Sequence, residues 1–561
     1  GNLTLIYDQN HISIEDDTNI SFSEDVAKRY EAYGWDVHTI DWRKNTADDE
    51  GGYRYVEDVD ALLAAVEAGQ NVRNKPTLVV LKTIIAWPAP TKQNTGKSHG
   101  SALGDAEVDS THEILGFPQK RFPVERAVLS HARKVGARGK AAHKAWDKRY
   151  AAWRKANPDK TGLLDRVVAE KVPTGLAKAL PSFPADTEKG MSTRAASGKV
   201  LDAIADVMPE LWGGSADLAE SNNTTMAGQP SFIPSEKQTH EWPGGPGGRT
   251  LHFGIREFGM GCILSGIALE GLTRPYGGTF LVFSDYMRGA VRLAAVQGIP
   301  VTFVWTHDSI GLGEDGPTHQ PVEHLAALRA MPGLDVVRPA DANETAACWG
   351  AVLDNAKPAG MVLTRQNLPV YDRKVFAKAT NASKGAYVLL DGGDEKGAGG
   401  ESAEVDVILI ATGSEVSIAV DARAALEKAG IKTRVVSMPC REWFERQPKA
   451  YRDRVLPPSI RARVSIEAAV GLGWRDYVGD AGRIISLEHF GASADYKTLY
   501  REFGITADAT VKAAKDSIKA TKAAPSVAPV KDVNPRSSQN GSLTDTTPAK
   551  PAAKKATVAA R

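Results

Sequence analysis

A strand that runs directly into a glycine-rich loop and then into a helix sets the fold class of this chain. Residues Val301–Thr306 are β-branched and aromatic, which predicts a buried strand. The loop Gly311–Pro321 contains three glycines and two prolines, and Val322–Met331 predicts a helix. This order is typical of an open α/β sheet, in which ligands bind at the carboxyl ends of the strands.

The loop is also rich in titratable side chains. His307 and Asp308 follow the strand, and Asp315 and His319 lie within the loop. Glycines let a ligand approach the backbone closely. A glycine-rich connection with its charges facing water is the alternative interpretation. The density of titratable groups favours a binding or catalytic site.

The same alternation of strands and helices recurs along the chain. It is first seen in the predicted strands Leu3–Tyr7, Gly34–Ile40 and Pro76–Ile85 and the helices Ser23–Tyr33 and Val56–Ala68. We expect Ser23 to cap its helix. Strand, helix and strand at this spacing indicate a parallel, doubly wound sheet.

Two further α/β units follow a proline-containing linker. The second has predicted strands near 211, 250–254, 301–306 and 358–365, and the third has them at 405–411, 433–438, 462–467 and 483–487. The sequence therefore predicts three doubly wound, mostly parallel-sheet α/β domains, at residues 1–172, 185–372 and 385–512. Residues 520–561 are mostly Lys, Ala, Pro, Ser and Thr without apolar periodicity, which predicts a disordered tail.

Charge and cysteine content narrow the function classes. The net charge is +1 over 561 residues, which argues against nucleic acid or a membrane surface as the main partner. Residues 119–160 are strongly basic, with Trp146 and Trp153 interleaved, so a nucleic-acid interface is one interpretation, and the solvated face of surface helices is the favoured one. Three widely separated cysteines give neither a disulfide framework nor a zinc spacing, which favours the cytoplasm.

Several single residues are candidates on local grounds. Asn10 after the first strand offers an oxygen to a hard cation, although an Asn in a tight turn is the more ordinary use. His99 lies between small residues and is otherwise a solvated loop histidine. Arg194, Asp217 and Ser221 are expected to face one pocket, where the planar fork of an arginine suits a phosphate.

The helix Ile255–Leu269 carries apolar residues on all sides, so we expect it to be buried nearly all round. Glu257 lies in its first turn, where the helix dipole favours a carboxylate. Phe280, Phe283 and Tyr286, three residues apart, form an aromatic stripe that by itself is more typical of a core. Thr412–Ser414 begins a helix, where an anion site is possible and a cap is favoured.

The motifs together resemble those of the transketolase family. The segment Thr306–Pro321, THDSIGLGEDGPTHQP, resembles a family signature over its whole length. Other matching segments, in the family's order over roughly residues 1–510, are YDQNHISI (7–14), SHG (98–100), GGSADL (213–218), GIREFGM (254–260), FLVFSDY (280–286) and TRQNL (364–368).

The resemblance implies a thiamine diphosphate enzyme with a divalent cation, Mg²⁺, Ca²⁺ or Mn²⁺. Such enzymes pass a two-carbon ketol unit reversibly from a ketose phosphate, such as xylulose 5-phosphate, to an aldose phosphate, such as ribose 5-phosphate, through a cofactor carbanion in the pentose phosphate pathway. In the family Glu257 would hydrogen-bond the aminopyrimidine ring and favour the tautomer that accepts the proton from the thiazolium. The family forms homodimers whose active sites combine both subunits.

The resemblance also assigns roles to individual residues. Asn10 and the carbonyl of Ile12 resemble the cation ligands, and Asn10 and His99 resemble cofactor contacts. Phe280, Phe283 and Tyr286 would line the pyrimidine pocket, in place of the core interpretation. The remaining roles are contacts to the substrate phosphate from Arg194, Ser221, His307 and Arg365, to a sugar hydroxyl from Asp315, and proton transfer at the reacting carbons by His99 and His319.

The chain departs from the family at its start. The family's Gly-Asp-Gly motif, which supplies a cation ligand upstream of Asn10, is absent, and the first residue is not Met. We therefore expect the sequence to belong to a longer product and this polypeptide alone to bind cofactor poorly. The alternatives are another thiamine diphosphate transferase, such as dihydroxyacetone synthase or deoxyxylulose-phosphate synthase, and an inactive fragment that only pairs with a full-length partner.

Overall fold

The computed structural model describes residues 2–43, 55–392 and 404–523. They form two compact units, Gly1–Trp153 and Arg154–Arg561, of which the second contains most of the described chain. No described helix has both the length and the apolar character needed to cross a bilayer.

The first unit contains a three-stranded parallel sheet. The central strand Thr77–Lys82 pairs with Thr4–Gln9 on one side and with Asp36–Asp41 on the other. Residues 78–80 of the central strand are buried, while Leu5 and Ile6 of the edge strand are exposed. The helical segments of this unit are Thr18–Ile20, Val26–Ala32, Val59–Asn71, Gly96–Ser98 and Asp105–Ile114, followed by Arg126–Ala156, which runs past its end.

The sheet that positions most of the candidate residues lies in the second unit and has eight strands, all parallel. Their spatial order is Asp335–Val337, Ala359–Leu363, Thr302–Thr306, Arg274–Phe280, Leu211–Ser215, Thr250–His252, Ser231–Phe232 and Gly244–Gly245. Side chains of the central strands point alternately into two separate cores: Val304 belongs to one, and Phe303 and Trp305 to the other. Burial on both faces explains why these strands are mostly apolar.

A five-stranded sheet and a short ribbon complete the second unit. The five strands, in spatial order, are Tyr387–Leu390, Thr433–Ser437, Val407–Ala411, Arg463–Ile466 and Arg483–Ile485; only the first is antiparallel to its neighbour. Asp186–Met191 and Leu368–Val370 pair antiparallel. The longer helices are Pro158–Val168, Thr193–Ala205, Glu257–Glu270, Arg288–Gln297, Ala342–Asn355, Glu415–Lys428 and Ala507–Ala523. The shorter ones are Leu176–Ala179, Ala219–Asn222, His324–Arg329, Arg441–Glu445, Lys449–Val455, Arg475–Val478 and Tyr496–Glu502.

The α/β class with mostly parallel sheets is confirmed, and the local errors have clear causes. Asp25, not Ser23, caps the helix Val26–Ala32, because its carboxylate accepts the backbone N–H of Lys28. The helix expected at 322–331 is shorter, His324–Arg329. The basic segment is, as favoured, a surface helix in which no side chain is buried.

Two predictions for the C-terminal part of the chain, a helix cap and the start of the tail, are also corrected. Ser414 makes no capping hydrogen bond, because its hydroxyl donates to the Glu415 carboxylate instead. The last helix extends to Ala523, so the tail predicted from residue 520 begins in helical structure. Its remainder, 524–561, lies outside the described residues.

Candidate active site

The glycine-rich loop follows the strand Thr302–Thr306 at the carboxyl end of the eight-stranded sheet. The loop begins with a 3₁₀ turn, Ile310–Leu312, and bends at Gly313 and Gly316, whose φ angles are 91° and 79°. Side chains at these angles are strained, so glycine is required there. Asp315 lies exposed between the two glycines.

His307 is buried at the foot of this loop. Its backbone adopts the left-handed region with φ 59°, a conformation that a non-glycine residue adopts at a cost and that is common at functional sites. Nδ1 lies 2.8 Å from the Thr306 hydroxyl, and the ring lies 3.8 Å from that of Phe280. Burial, the charges of Arg194 and Arg365, and nearby His319 lower the pKa of His307 to about 3.

The two arginines reach this place from different elements. Arg194 lies in the first turn of the helix Thr193–Ala205 and donates to the backbone carbonyl of Ser221. Its Nε is buried without a hydrogen-bond partner among the described residues. Arg365 follows the strand Ala359–Leu363 and donates to the carbonyl of Leu312 at 3.0 Å.

The environment of Arg194 disfavours its charged form. Burial, and then the charge of Arg365, lowers the pKa of Arg194. Two cations and a neutral histidine at the carboxyl ends of parallel strands form a site that suits an anion such as a phosphate. Asp217, which we expected to share this pocket, is exposed on a left-handed turn.

An aromatic stack lies beside the histidines. The short helical segment Leu281–Met287 brings Phe280 and Phe283 to 5.6 Å and Phe283 and Tyr286 to 5.8 Å between ring centroids. The ring of His319 lies 5.6 Å from that of Phe283. Tyr286 is largely exposed. The three side chains therefore form a row of neighbouring rings, the ring ladder, that runs from buried Phe280 to exposed Tyr286. This differs from the interpretation of the stripe as part of the core.

Glu257 is one of the buried acids of this unit. It begins the helix Glu257–Glu270, and its side chain has neither an ion-pair nor a hydrogen-bond partner among the described residues. Its carboxylate is therefore open to a ligand.

Three further candidates lie in the first unit. The side-chain oxygen of Asn10 accepts the backbone N–H of Ile12 at 3.0 Å, so the turn expected on local grounds is present. The backbone N–H of Gly96 donates to Asp16 at 3.1 Å, which places the loop of His99 against this turn. His99 itself is exposed. Oxygen donors at this turn have the chemistry that Mg²⁺ prefers.

The sequence interpretation missed one residue that organises the pocket. Asn222 is fully buried, donates to the Ser215 hydroxyl at 2.8 Å and accepts from the Thr306 hydroxyl at 2.6 Å. It therefore ties the end of one strand to that of another, next to His307. No local pattern distinguishes this asparagine from an ordinary turn residue, because Thr306, which joins it to the next strand end, is 84 residues away in sequence.

Comparison with known proteins gives the family. The model of the transketolase thiamine diphosphate binding domain matches residues 1–173, that of the transketolase pyrimidine binding domain matches 189–370, and that of the transketolase-like C-terminal domain matches 385–506. Fold and family models together place the chain among the α/β enzymes that bind thiamine diphosphate.

Individual relatives identify the family of enzymes more specifically. The chain is 53% identical over 522 residues to the transketolase of Mycobacterium tuberculosis, covering 92% of this chain and 72% of that protein. The transketolase of Geobacillus stearothermophilus is 42% identical, over 92% of this chain and 73% of that one. The chain belongs to the transketolase family.

Solved structures agree with this assignment. The Pichia stipitis transketolase in complex with sedoheptulose 7-phosphate superimposes with a TM-score of 0.84 at 36% identity, over 95% of this chain and 74% of that one. The Leishmania mexicana transketolase gives a TM-score of 0.80 at 36% identity, over 94% and 73%.

Proposed function

We propose that this chain carries out the two-carbon ketol transfer of its family, from a ketose phosphate to an aldose phosphate, as in the pentose phosphate pathway. The observation that carries the proposal is the cationic pocket of Arg194 and Arg365 around His307, directly beside the ring ladder. One end of this pocket suits a substrate phosphate, and the other suits a planar cofactor ring. Ser221, held against Arg194 through its carbonyl, completes the phosphate contacts, and Asp315 reaches a sugar hydroxyl.

The residues present fit thiamine diphosphate. The ladder Phe280, Phe283 and Tyr286 offers ring faces for its pyrimidine, and the buried Glu257 has no protein partner within the part of the chain that the structure describes. When bound, the cofactor supplies the electron sink for breaking the carbon–carbon bond of the ketose. Glu257 holds a proton at the pyrimidine ring nitrogen.

Two histidines are proposed to move protons at the reacting sugar carbons. The Nδ1 atom of His319 lies 2.9 Å from the Thr318 hydroxyl, which orients the ring and leaves Nε2 for the substrate. His99, exposed in its loop, serves both the cofactor and the substrate. We also propose that the Asn10 side-chain oxygen and the Ile12 carbonyl hold Mg²⁺ or a related cation, together with oxygens of the diphosphate and water.

We propose a homodimer with active sites shared between subunits. The helix Glu257–Glu270 buries Met260 and Leu264 but exposes Phe258 and Ile263, each more than half accessible. This is a correction to the expectation of burial nearly all round. A contiguous apolar surface of this kind marks a protein interface. Because Glu257 begins the same helix, the interface lies next to the proposed cofactor site.

The domain limits and the compartment are proposals as well. We place the domains at residues 1–172, 185–372 and 385–512. The cytoplasm is supported by the three cysteines, Cys262, Cys348 and Cys440, which are free thiols in the structure. Proteins of a reducing compartment typically keep their cysteines unpaired.

The test is release of glyceraldehyde 3-phosphate from xylulose 5-phosphate with ribose 5-phosphate as acceptor, measured on the holoenzyme. Glu257→Gln is expected to lose at least about 100-fold in kcat, the scale of a lost acid–base group. Glu270→Gln, at the exposed far end of the same helix, is the matched control and should keep full activity. Transfer to formaldehyde in preference to ribose 5-phosphate, or use of pyruvate as the donor in preference to xylulose 5-phosphate, would reject the proposal.

A further inference from the structure

A buried cluster of charges joins the segment matched by the C-terminal family model to the foot of the substrate loop. Arg338 is fully buried, and its Nε donates to Asp308 at 2.8 Å. Its other nitrogens donate to the carbonyl and hydroxyl of Thr412 at 3.0 and 2.9 Å, to Ser414 at 3.1 Å and to Glu415. One guanidinium thus connects Asp308, directly after His307, to the first turn of the helix Glu415–Lys428.

A second ion pair lies behind the first. Arg329 donates to both oxygens of Glu467 at 2.7 and 2.8 Å, and Glu467 also accepts from Thr412 and Trp474 at 2.6 and 3.0 Å. The carboxylate of Glu467 is therefore fully satisfied. Arg329 again belongs to the segment matched by the pyrimidine-domain model, and its partners belong to the C-terminal one.

Tyr500 closes the cluster from the C-terminal side. Its hydroxyl donates to Glu415 at 2.7 Å and lies 3.4 Å from the hydroxyl of Ser309. The Ser309 hydroxyl in turn accepts the backbone N–H of Gly311 at 3.1 Å, the first residue of the substrate loop. The start of the loop thus meets the C-terminal segment through a chain of polar contacts.

The end of the loop is held by a separate contact. The side-chain amide of Gln320, almost fully buried, donates to the carbonyl of Gly313 at 2.9 Å and to that of Ala492 at 3.0 Å. Gly491 packs so closely that a Cβ there would lie 1.7 Å from the Gln320 oxygen. Ser493 meets Gly316 in the same way, since a Cβ on that glycine would lie 2.2 Å from its hydroxyl.

Buried ion pairs are poor sources of stability, because desolvation of both charges offsets their attraction. Such a network instead favours one geometry, because another arrangement would leave more of its buried donors and acceptors unpaired. Here the fixed geometry is that of the loop that carries Asp315 and His319, with His307 at its foot.

We propose, on the basis of the proposed function, that the C-terminal segment positions the substrate loop, with Arg338, Tyr500 and Gln320 as positioning residues. They touch neither substrate nor cofactor. They hold the loop so that its side chains meet the sugar phosphate, and the C-terminal sheet thereby takes part in substrate recognition.

The decisive variant is Tyr500→Phe in the holoenzyme, which removes one hydroxyl and keeps the ring. The matched control is Tyr477→Phe, a buried tyrosine of the same segment whose hydroxyl donates to Glu445 at 2.6 Å away from the loop. We expect Tyr500→Phe to lower kcat/KM for the sugar phosphates about tenfold, mainly through KM, since small displacements of positioning groups have effects of this order or larger.

A second variant tests the other end of the loop. Gln320→Glu keeps the shape but replaces the amide donor with an oxygen that faces two carbonyls. We expect KM for the sugar phosphates and the dissociation constant of inorganic phosphate to rise, while the dissociation constant of thiamine diphosphate changes less than about twofold. A purely structural role would move cofactor affinity and the unfolding midpoint together with KM.

The outcomes separate the two proposals. If the parent and Tyr477→Phe holoenzymes both lack ketol transfer, the proposed function fails. If both are active and Tyr500→Phe matches them, the positioning proposal is overturned. Equal losses in the two tyrosine variants would also overturn it, because any buried hydroxyl would then have the same effect.

Discussion

Acid should destabilise this protein through His307. Its pKa in the folded chain is about 3, because burial and the charges of Arg194 and Arg365 disfavour the imidazolium. In the unfolded chain the pKa is about 6.5. Between these values the unfolded chain binds a proton that the folded chain does not, so the free energy of unfolding falls as the pH falls below about 6.5.

The size of the effect follows from the same difference. A pH of 5 is about 1.5 units below the pKa of the histidine in the unfolded chain. At about 1.36 kcal/mol per unit, the free energy of unfolding is therefore lower by about 2 kcal/mol at pH 5. This loss at pH 5 does not depend on the exact pKa of His307 in the folded chain, provided that this pKa lies well below 5. The full loss, reached near pH 3, is about 5 kcal/mol on the same scale.

The assay is urea unfolding at pH 7.5 and pH 5, followed by fluorescence, for the parent and for His307→Asn. Asparagine does not titrate, and its amide can still meet the Thr306 hydroxyl. The pH-dependent loss should be smaller by about 2 kcal/mol in the variant. His240→Asn, at an exposed histidine, controls for histidine removal as such. Equal pH dependence of the parent and His307→Asn would refute the reasoning.

Three further outcomes are expected. Glu467→Gln should lower the free energy of unfolding by about 3–5 kcal/mol, because it leaves buried Arg329 without its counter-ion, whereas Glu404→Gln, on an exposed ion pair, should leave the unfolding midpoint unchanged. Ile263→Glu should shift the protein from dimer to monomer in light scattering, since it places a charge on the exposed apolar face. Phe283→Leu should weaken thiamine diphosphate binding about tenfold in calorimetric titration, the scale of one lost ring contact.

The fold class could be predicted from the sequence because the central parallel strands of the two larger sheets are buried on both faces and are mostly apolar. Thr302–Thr306 and Val407–Ala411 are of this kind, and both are strands in the structure. The start of a helix was less predictable where two nearby polar residues could each serve as its N-cap. Ser23 and Asp25 both suit the start of a helix, and only backbone geometry decides that Asp25 accepts the Lys28 N–H.

The candidate site was predictable to the extent that it lies within continuous motifs. His307, Asp315 and His319 fall in one segment, and the aromatic residues recur at a constant spacing. The residues that hold this segment in place were not predictable, because their partners are far apart in sequence. Arg338 and Glu415 are 77 residues apart, and Asn222 and Thr306 are 84 apart.

The helix Glu257–Glu270 shows how a wrong expectation can still carry information. Its sequence has no polar face, which predicted burial on all sides, yet the structure covers only the side that carries Met260 and Leu264. A helix whose second apolar face is exposed is suited to contact a second copy, which offers the same chemistry. In the homodimer that we propose, this contact covers Phe258 and lies next to Glu257, which begins the helix. The apolar pattern that misled the burial prediction is then the pattern of an interface rather than that of a core.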